Sequence, residues 1–231
     1  MKFRNNILNV VVLTFIFMVC WYNFYERLLN CTNRDELYYY LVGSHGGYSY
    51  YLYIASIYMI LFLMIIDYVN TSFSISSLSR IGRISNFNRN CRNNIVIAIV
   101  YSCVYVAVEI CAVIKYIGIK KLIDNKFFEV MLFYTIAISV IYIFAGMCYM
   151  LLRMFVKYPF LVIIIIVAFN MFIAYFYKAS RLYGATAIID KKSLGTYVDI
   201  AIWCLNELIV LCIIGVLYIF TKSIYEKKDI L

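Results

Sequence analysis

The stretch VMLFYTIAISVIYIFAGMCYMLL occupies residues 130–152 and contains no charged residue. A helix needs roughly 20 apolar residues to cross the ~30 Å hydrocarbon layer of a bilayer. The apolar residues are continuous here, without the alternation of polar and apolar positions typical of a membrane β-barrel strand. Because each unpaired backbone amide in lipid costs several kcal/mol, the stretch is predicted to be a transmembrane α-helix.

Five further segments share this character, so the chain is predicted to be an all-α, polytopic membrane protein with six transmembrane helices. The predicted spans cover about residues 7–25, 50–69, 95–115, 130–152, 160–177 and 200–220. The whole chain, 1–231, is interpreted as a single transmembrane domain. Its longer connections are a loop at about 70–94 and an outer segment at 178–199.

The composition supports this interpretation, since 65% of the residues are hydrophobic and 14% are charged. A soluble domain has about 25% charged residues. The formal net charge is +9, but the basic residues lie mainly between and beside the apolar segments, where they face anionic headgroups. They form no solvent-facing stripe of the kind that nucleic-acid binding needs, so the predicted partner is the bilayer and not a nucleic acid.

Loop charge decides the predicted orientation. Six spans place both termini on one side, and Lys and Arg divide almost evenly between the two sides. The loop at 70–94 carries Arg80, Arg83, Arg89 and Arg92 and has no acidic residue. Arginine-rich loops stay cytoplasmic, so both termini are predicted to be cytoplasmic and the protein to lie in the cell membrane.

Catalytic chemistry has few candidate residues in this sequence. His45 is the single histidine and lies outside the predicted spans. No CxxC pair or Cys/His cluster offers a zinc site, and no G-x-x-x-x-G-K-[ST] phosphate loop occurs. The chain is therefore predicted to be no enzyme and to bind no cofactor, and any ATP that powers it must bind to another chain.

Polar residues inside predicted spans are the candidates for a transport path or a dimer seam. Glu109 and Glu207 are carboxylates within the third and sixth spans, where a charge costs about 2.5–3.5 kcal/mol at the bilayer centre. Tyr105, Asn170 and Asn206 accompany them. These residues either line a path for a polar or cationic substrate or make structural interhelix hydrogen bonds worth about 0.6 kcal/mol each.

The loop at 70–94 contains a short amphipathic pattern. Ile81, Ile84 and Phe87 recur at one-turn spacing, and Arg80, Arg83 and Arg89 suit a neighbouring face. Such a helix either lies on anionic headgroups or docks its apolar residues into a groove of a partner. Just before the loop, Asp67 is expected to pair with a nearby arginine.

This loop resembles the cytoplasmic loop between spans two and three of the membrane subunits of ABC-2-type exporters. Among these subunits, it resembles the small bacterial permeases of peptide-antibiotic immunity and bacteriocin export. Arg80, Gly82 and Phe87 stand at the matching spacings, whereas Ile81, Arg83 and Ile84 depart from the usual aromatic, Ser and basic residues. The order of elements is also similar, including the short inner turn between spans four and five.

The resemblance implies a division of labour between chains. Two permease chains, identical or related, would pair above two ATPase chains that bind ATP and Mg²⁺. The segment from Arg80 to Arg89, including Gly82 and Ile84, would be the coupling helix, with Phe87 among its contact residues. The expected function is export of a hydrophobic or amphipathic substrate, with antimicrobial peptides as one candidate. The alternative is a membrane-embedded accessory or assembly protein without a transport path.

Overall fold

The computed structural model describes residues 48–70, 80–117, 119–124, 127–176 and 200–227, together with Phe15. Within these ranges the chain is helical and contains no strand. The helices are α1 (Tyr48–Asn70), α2 (Arg80–Ile117), α3 (Ile119–Asp124), α4 (Phe127–Leu152), α5 (Pro159–Phe176) and α6 (Ile200–Lys227). The predicted span at 7–25 and the outer segment at 178–199 lie outside the described residues.

Three helices in the described part of the chain are long and apolar enough to cross a membrane. Their candidate spans are Ile84–Val108, Phe127–Leu152 and Glu207–Lys227. The apolar stretches Ile57–Asn70 in α1 and Pro159–Phe172 in α5 are shorter. Together with α2, α4 and α6, these two helices lie over five of the six segments predicted as spans. Length and composition therefore indicate a helical membrane protein.

The antiparallel pair α2 and α4 forms the middle of the bundle. Asn94 Nδ2 donates a hydrogen bond to the Ile143 carbonyl oxygen at 3.1 Å, while the rings of Tyr105 and Tyr134 lie 6.4 Å apart. Contacts therefore pair rising numbers in α2 with falling numbers in α4. Helices α1 and α5 pack against each other on one side of this pair, and α6 packs on the other side.

The bundle contains two apolar clusters, one on each side of the α2–α4 pair. The larger one joins α1, α2, α4 and α5 and is rich in aromatic residues, with Phe62 and Tyr101 almost fully buried. The smaller one joins α2, α4 and α6. It contains the buried residues Phe87, Cys91, Met147 and Met150, with the half-buried residues Ile214, Tyr218 and Tyr225 packed against them.

The third span was predicted to begin at residue 95, after a loop at 70–94, but helix α2 begins 15 residues earlier, at Arg80. The helix begins at Arg80 and continues without a break to Ile117, so the amphipathic segment is its first turns and not a separate short helix. Asn86, Asn90 and Asn94 recur every four residues and are all buried. These polar side chains lower the local hydropathy and suggest a loop, but they place one face of the helix inside the bundle.

Gly146 allows the close contact between α2 and α4. A Cβ atom at this position would overlap the carboxamide of Asn94, which is fully buried. Small residues let membrane helices approach closely and permit interhelix hydrogen bonds. The missing side chain of Gly146 thus leaves room for Asn94 to reach the backbone of α4.

The turn between α4 and α5 is held by Arg153. Its guanidinium donates to the carbonyl oxygens of Val156 at 3.1 Å and Lys157 at 2.7 Å, and its Nε lies 3.7 Å from Asp67 Oδ1. The Tyr149 hydroxyl also donates to Asp67. The predicted pairing of Asp67 with an arginine is confirmed, and the partner comes from the turn rather than from the loop that follows α1.

Candidate functional site

The described ends of several elements meet at one end of the bundle. The Tyr218 hydroxyl of α6 donates to Asn88 Oδ1 of α2 at 3.2 Å, and the ring of Phe87 lies 5.5 Å from that of Tyr225. Asp67, near the end of α1, pairs with Arg153, the first residue after α4. We call this the arginine end, because the first turns of α2 and the turn at residues 153–158 both carry arginines there.

Helix α2 is longer than its neighbours and extends past them at the arginine end. At ~1.5 Å per residue its 38 residues measure about 57 Å, against about 39 Å for the 26 residues of α4. Phe87 packs in the same cluster as Met150, which lies only two residues before α4 ends. The turns of α2 before Phe87 therefore project beyond the end of α4.

An open depression of about 650 Å³ lies on α2 between Ile84 and Arg92, next to these turns. It is lined by Ile84, Ser85, Asn88, Arg89 and Arg92. Arg89 and Arg92 are exposed, Ile84 is half-buried, and the four polar residues among the five recur at helical spacing on one face. The surface thus combines two guanidinium groups with one apolar side chain, a combination that suits an acidic partner with apolar contact residues.

The predicted coupling residues divide between this surface and the interior. Gly82 is half-buried, and Ile84 and Arg89 lie at or beside the depression. Phe87 is fully buried, with its ring 5.3 Å from that of Tyr218, so its face is covered by the chain's own α6. The side chains of Arg80, Ile81 and Arg83 lie outside what the structure describes, although their backbone belongs to α2.

Sequence reasoning missed three residues of the depression as site residues: Ser85, Asn88 and Arg92. The predicted amphipathic pattern ended at Arg89. Extending the helical spacing of residues 85, 88 and 89 by one more turn would have added Arg92 to the same face.

Tyr105, a predicted path residue, is part of the aromatic core. Its ring lies 4.9 Å from that of Tyr58 in an edge-to-face arrangement, and 8% of the residue is exposed. Edge-to-face pairs of this kind contribute about 0.5–1.5 kcal/mol beyond their buried area. The geometry gives Tyr105 a packing role between α1, α2 and α4.

Asn170 and Glu207 lie on opposite sides of the α2–α4 pair. Asn170, in α5, lines an apolar groove of about 300 Å³ that also involves α1 and α4. Glu207, in α6, is buried on the other side of the bundle. The structure therefore does not bring these two residues together in one path. Glu109 and Asn206 lie in α2 and α6, but their side chains fall outside the described residues.

Glu207 is 5% exposed, and neither carboxylate oxygen has a hydrogen-bond partner among the described residues. Ser102, fully buried in α2, likewise has no hydrogen-bond partner for its hydroxyl within the described ranges. Helices α2 and α6 run antiparallel and meet at Asn88 and Tyr218. Glu207 lies 11 residues before Tyr218, which places it level with residue 99 of α2 and therefore at a depth similar to that of Ser102. Sequence analysis did not identify Ser102, since an isolated serine in an apolar span gives no signal.

In the described part of the chain, no group of three or more His, Cys, Asp and Glu side chains is placed to hold a metal ion.

Compared with known proteins, the chain matches no model of a protein family, no curated protein and no solved structure. The site must therefore be interpreted from its own geometry.

Proposed function

We propose that the chain is the transmembrane permease subunit of an ABC-type exporter with an ABC-2-like fold of six spans. It lies in the cell membrane with both termini in the cytoplasm. A separate ATPase chain binds ATP and Mg²⁺, and a second permease chain, identical or related, completes the pathway. The cargo is a hydrophobic or amphipathic molecule, with antimicrobial peptides as the class that the family resemblance suggests.

The observation that carries this proposal is the depression on α2 between Ile84 and Arg92, at the arginine end of the bundle. Exposed Arg89 and Arg92 flank it, and Ile84 supplies an apolar contact. Helix α2 continues from this surface directly into the bundle core, where Tyr101 and Tyr105 pack against α1 and α4. A partner that moves the first turns of α2 would therefore move a rigid element that reaches the far end of the bundle, as coupling to an ATPase requires.

Helix α6 supports the same assignment, because it packs against the buried side of these turns. Phe87 fills the space between α2 and α6, where its ring packs against the rings of Tyr218 and Tyr225. The coupling surface consequently consists of Arg89, Arg92 and Ile84, with Arg83 directly before Ile84 and Arg80 about one turn before it. Phe87 packs the first turns of α2 against α6 and does not itself contact the ATPase.

Charge reversal tests the coupling surface. The double variant Arg89→Glu, Arg92→Glu is expected to lose co-purification with an ATPase subunit in mild detergent while still inserting into the membrane. Arg80→Glu with Arg83→Glu should have the same effect. The matched control is Lys120→Glu, which reverses an exposed base in α3 at the other end of the bundle.

Retention of the ATPase by both double variants would contradict the assignment of the coupling surface. Recovery of the wild-type chain without any ATPase partner would favour the second candidate function, a membrane-embedded accessory or assembly protein. One observation favours this alternative: Tyr105, Asn170 and Glu207 are distributed among three places in the bundle. In that case Glu109→Gln and Glu207→Gln should leave activity unchanged.

A further inference from the structure

The groove between α1, α4 and α5 has the properties of a hydrocarbon site. Met59 of α1, Phe144 and Cys148 of α4, and Ile165 and Phe169 of α5 contribute to its walls. Asn170 supplies the one amide in a lining that is otherwise apolar. A buried water needs two to four polar partners, so water is a poor occupant of this groove.

The volume and length of the groove match part of one lipid chain. An apolar cavity of about 150 Å³ holds the six carbons of benzene, so about 300 Å³ corresponds to roughly twelve carbons. Along α4 the lining runs from Ile141 to Leu152, which is about 16 Å at ~1.5 Å per residue. One leaflet is half of the ~30 Å hydrocarbon core, or about 15 Å.

The groove reaches the end of α4, next to the turn at residues 153–158. Exposed aromatic residues in this turn indicate the level of the membrane surface. Phe155 and Tyr158 in the turn are both 68% exposed, as expected of aromatic residues at the headgroup level. Lys157 is exposed in the same turn, and Arg153 fixes its backbone by a hydrogen bond to its carbonyl oxygen. The backbone that carries this cationic side chain is therefore fixed five residues after Leu152, which lines the shallow end of the groove.

We propose that this groove binds one acyl chain of an anionic phospholipid, whose headgroup lies against Lys157. The chain enters beside Leu152 and extends toward Asn170, at the depth of the bilayer centre. Charge complementarity selects an anionic headgroup, and the apolar walls select a hydrocarbon chain over a polar ligand. This inference does not rest on the proposed function, because an accessory protein and a permease would bind the lipid in the same way.

Photolabelling in the wild-type protein provides a direct test. The probe is phosphatidylglycerol with a photoreactive acyl chain, present at low fraction in phosphatidylcholine vesicles that contain the purified protein. Adducts mapped by mass spectrometry are expected to concentrate in residues 141–152 and 165–170. Labelling of the exposed face of α6, at Leu208 and Leu211, without labelling of the groove would overturn the proposal and assign the groove to another occupant, such as the segment at 7–25.

Two variants with matched controls test the groove and the headgroup separately. Cys148→Phe fills the groove and should lower phosphatidylglycerol labelling there about tenfold, whereas Cys212→Phe adds the same ring to the exposed face of α6 and should not. Lys157→Gln should reduce the preference for phosphatidylglycerol over phosphatidylcholine about fivefold, and Lys120→Gln should leave it unchanged. Equal labelling of Cys148→Phe and the wild type would also overturn the proposal.

Discussion

The two sides of the α2–α4 pair differ in how the helices are held. On the side of α1 and α5, aromatic residues from four helices interlock in a large cluster in which Phe62 and Tyr101 are almost fully buried. On the side of α6 the cluster is small, and most residues of the candidate span Glu207–Lys227 are not buried by the described part of the chain. The first side therefore has the larger aromatic core, while α6 packs along α4 and α2 through a smaller apolar cluster and leaves much of its surface uncovered by the described residues.

The largest difference between the two sides should appear on removal of a buried ring. Phe62 and Phe87 are both fully buried, one in each cluster. Phe62→Ala should lower the free energy of unfolding by about 3–5 kcal/mol, the usual cost of such a change in a core. Phe87→Ala should cost less, because half-buried Ile214 and Tyr218 can move into the space.

Thermal unfolding of both variants in detergent micelles, followed by the loss of the folded peak on size exclusion, measures this difference. An equal or larger loss of stability in Phe87→Ala would show that the α6 side is as rigid as the other. The two sides would then not differ in rigidity.

A pair of glycines gives the next prediction. Gly146→Ala places a Cβ atom on the Asn94 carboxamide and should break its hydrogen bond to Ile143, at a cost of about 1–3 kcal/mol. Gly215→Ala in α6 meets nothing within 4 Å and should stabilise the helix by up to about 1 kcal/mol. The same thermal measurement is expected to move the two unfolding temperatures in opposite directions.

Removal of the Asn94 side chain sharpens this test. In Gly146→Ala with Asn94→Ala the overlap is absent, so part of the lost stability should return. A double variant no more stable than Gly146→Ala alone would mean that the overlap with Asn94 is not the cause.

The smallest expected effect concerns the turn at residues 153–158. Asp67 and Arg153 are 24% and 22% exposed, so solvent screens their 3.7 Å ion pair. A double-mutant cycle with Asp67→Asn and Arg153→Gln should give a coupling energy of at most about 1 kcal/mol. A larger coupling would show that the turn, and not the aromatic cluster, fixes the position of α1 against α4.

Apolar run length was sufficient to predict where α1, α2, α4, α5 and α6 lie, because a continuous apolar segment has few alternatives to a membrane helix, but it did not predict the short helix α3. The pairing of Asp67 with an arginine was also predicted from sequence, since an acid at a span end needs a cationic partner. The choice of Arg153 was not, because that pairing depends on how α1 packs against α4.

The first turns of α2 show where sequence reasoning failed. Hydropathy averages the residues of a window and cannot distinguish a polar loop from a helix whose polar residues point inward, as Asn86, Asn90 and Asn94 do. Phe87 was interpreted as a contact residue because of the amphipathic spacing and the family resemblance, neither of which could reveal that α6 covers it. The path residues were also predicted from polarity alone, which could not reveal that Asn170 and Glu207 lie on opposite sides of the bundle.

The central claim is that the first turns of α2, the turn at residues 153–158 and the end of α6 share one membrane face, with α3 on the other. Single cysteines at Gly82, Lys157, Lys227 and Lys120, in a chain without its native cysteines, can be labelled with a membrane-impermeant maleimide on intact cells. We expect Lys120→Cys to react before permeabilisation and the other three only afterwards. Reaction of Gly82→Cys and Lys157→Cys from opposite faces would contradict the account.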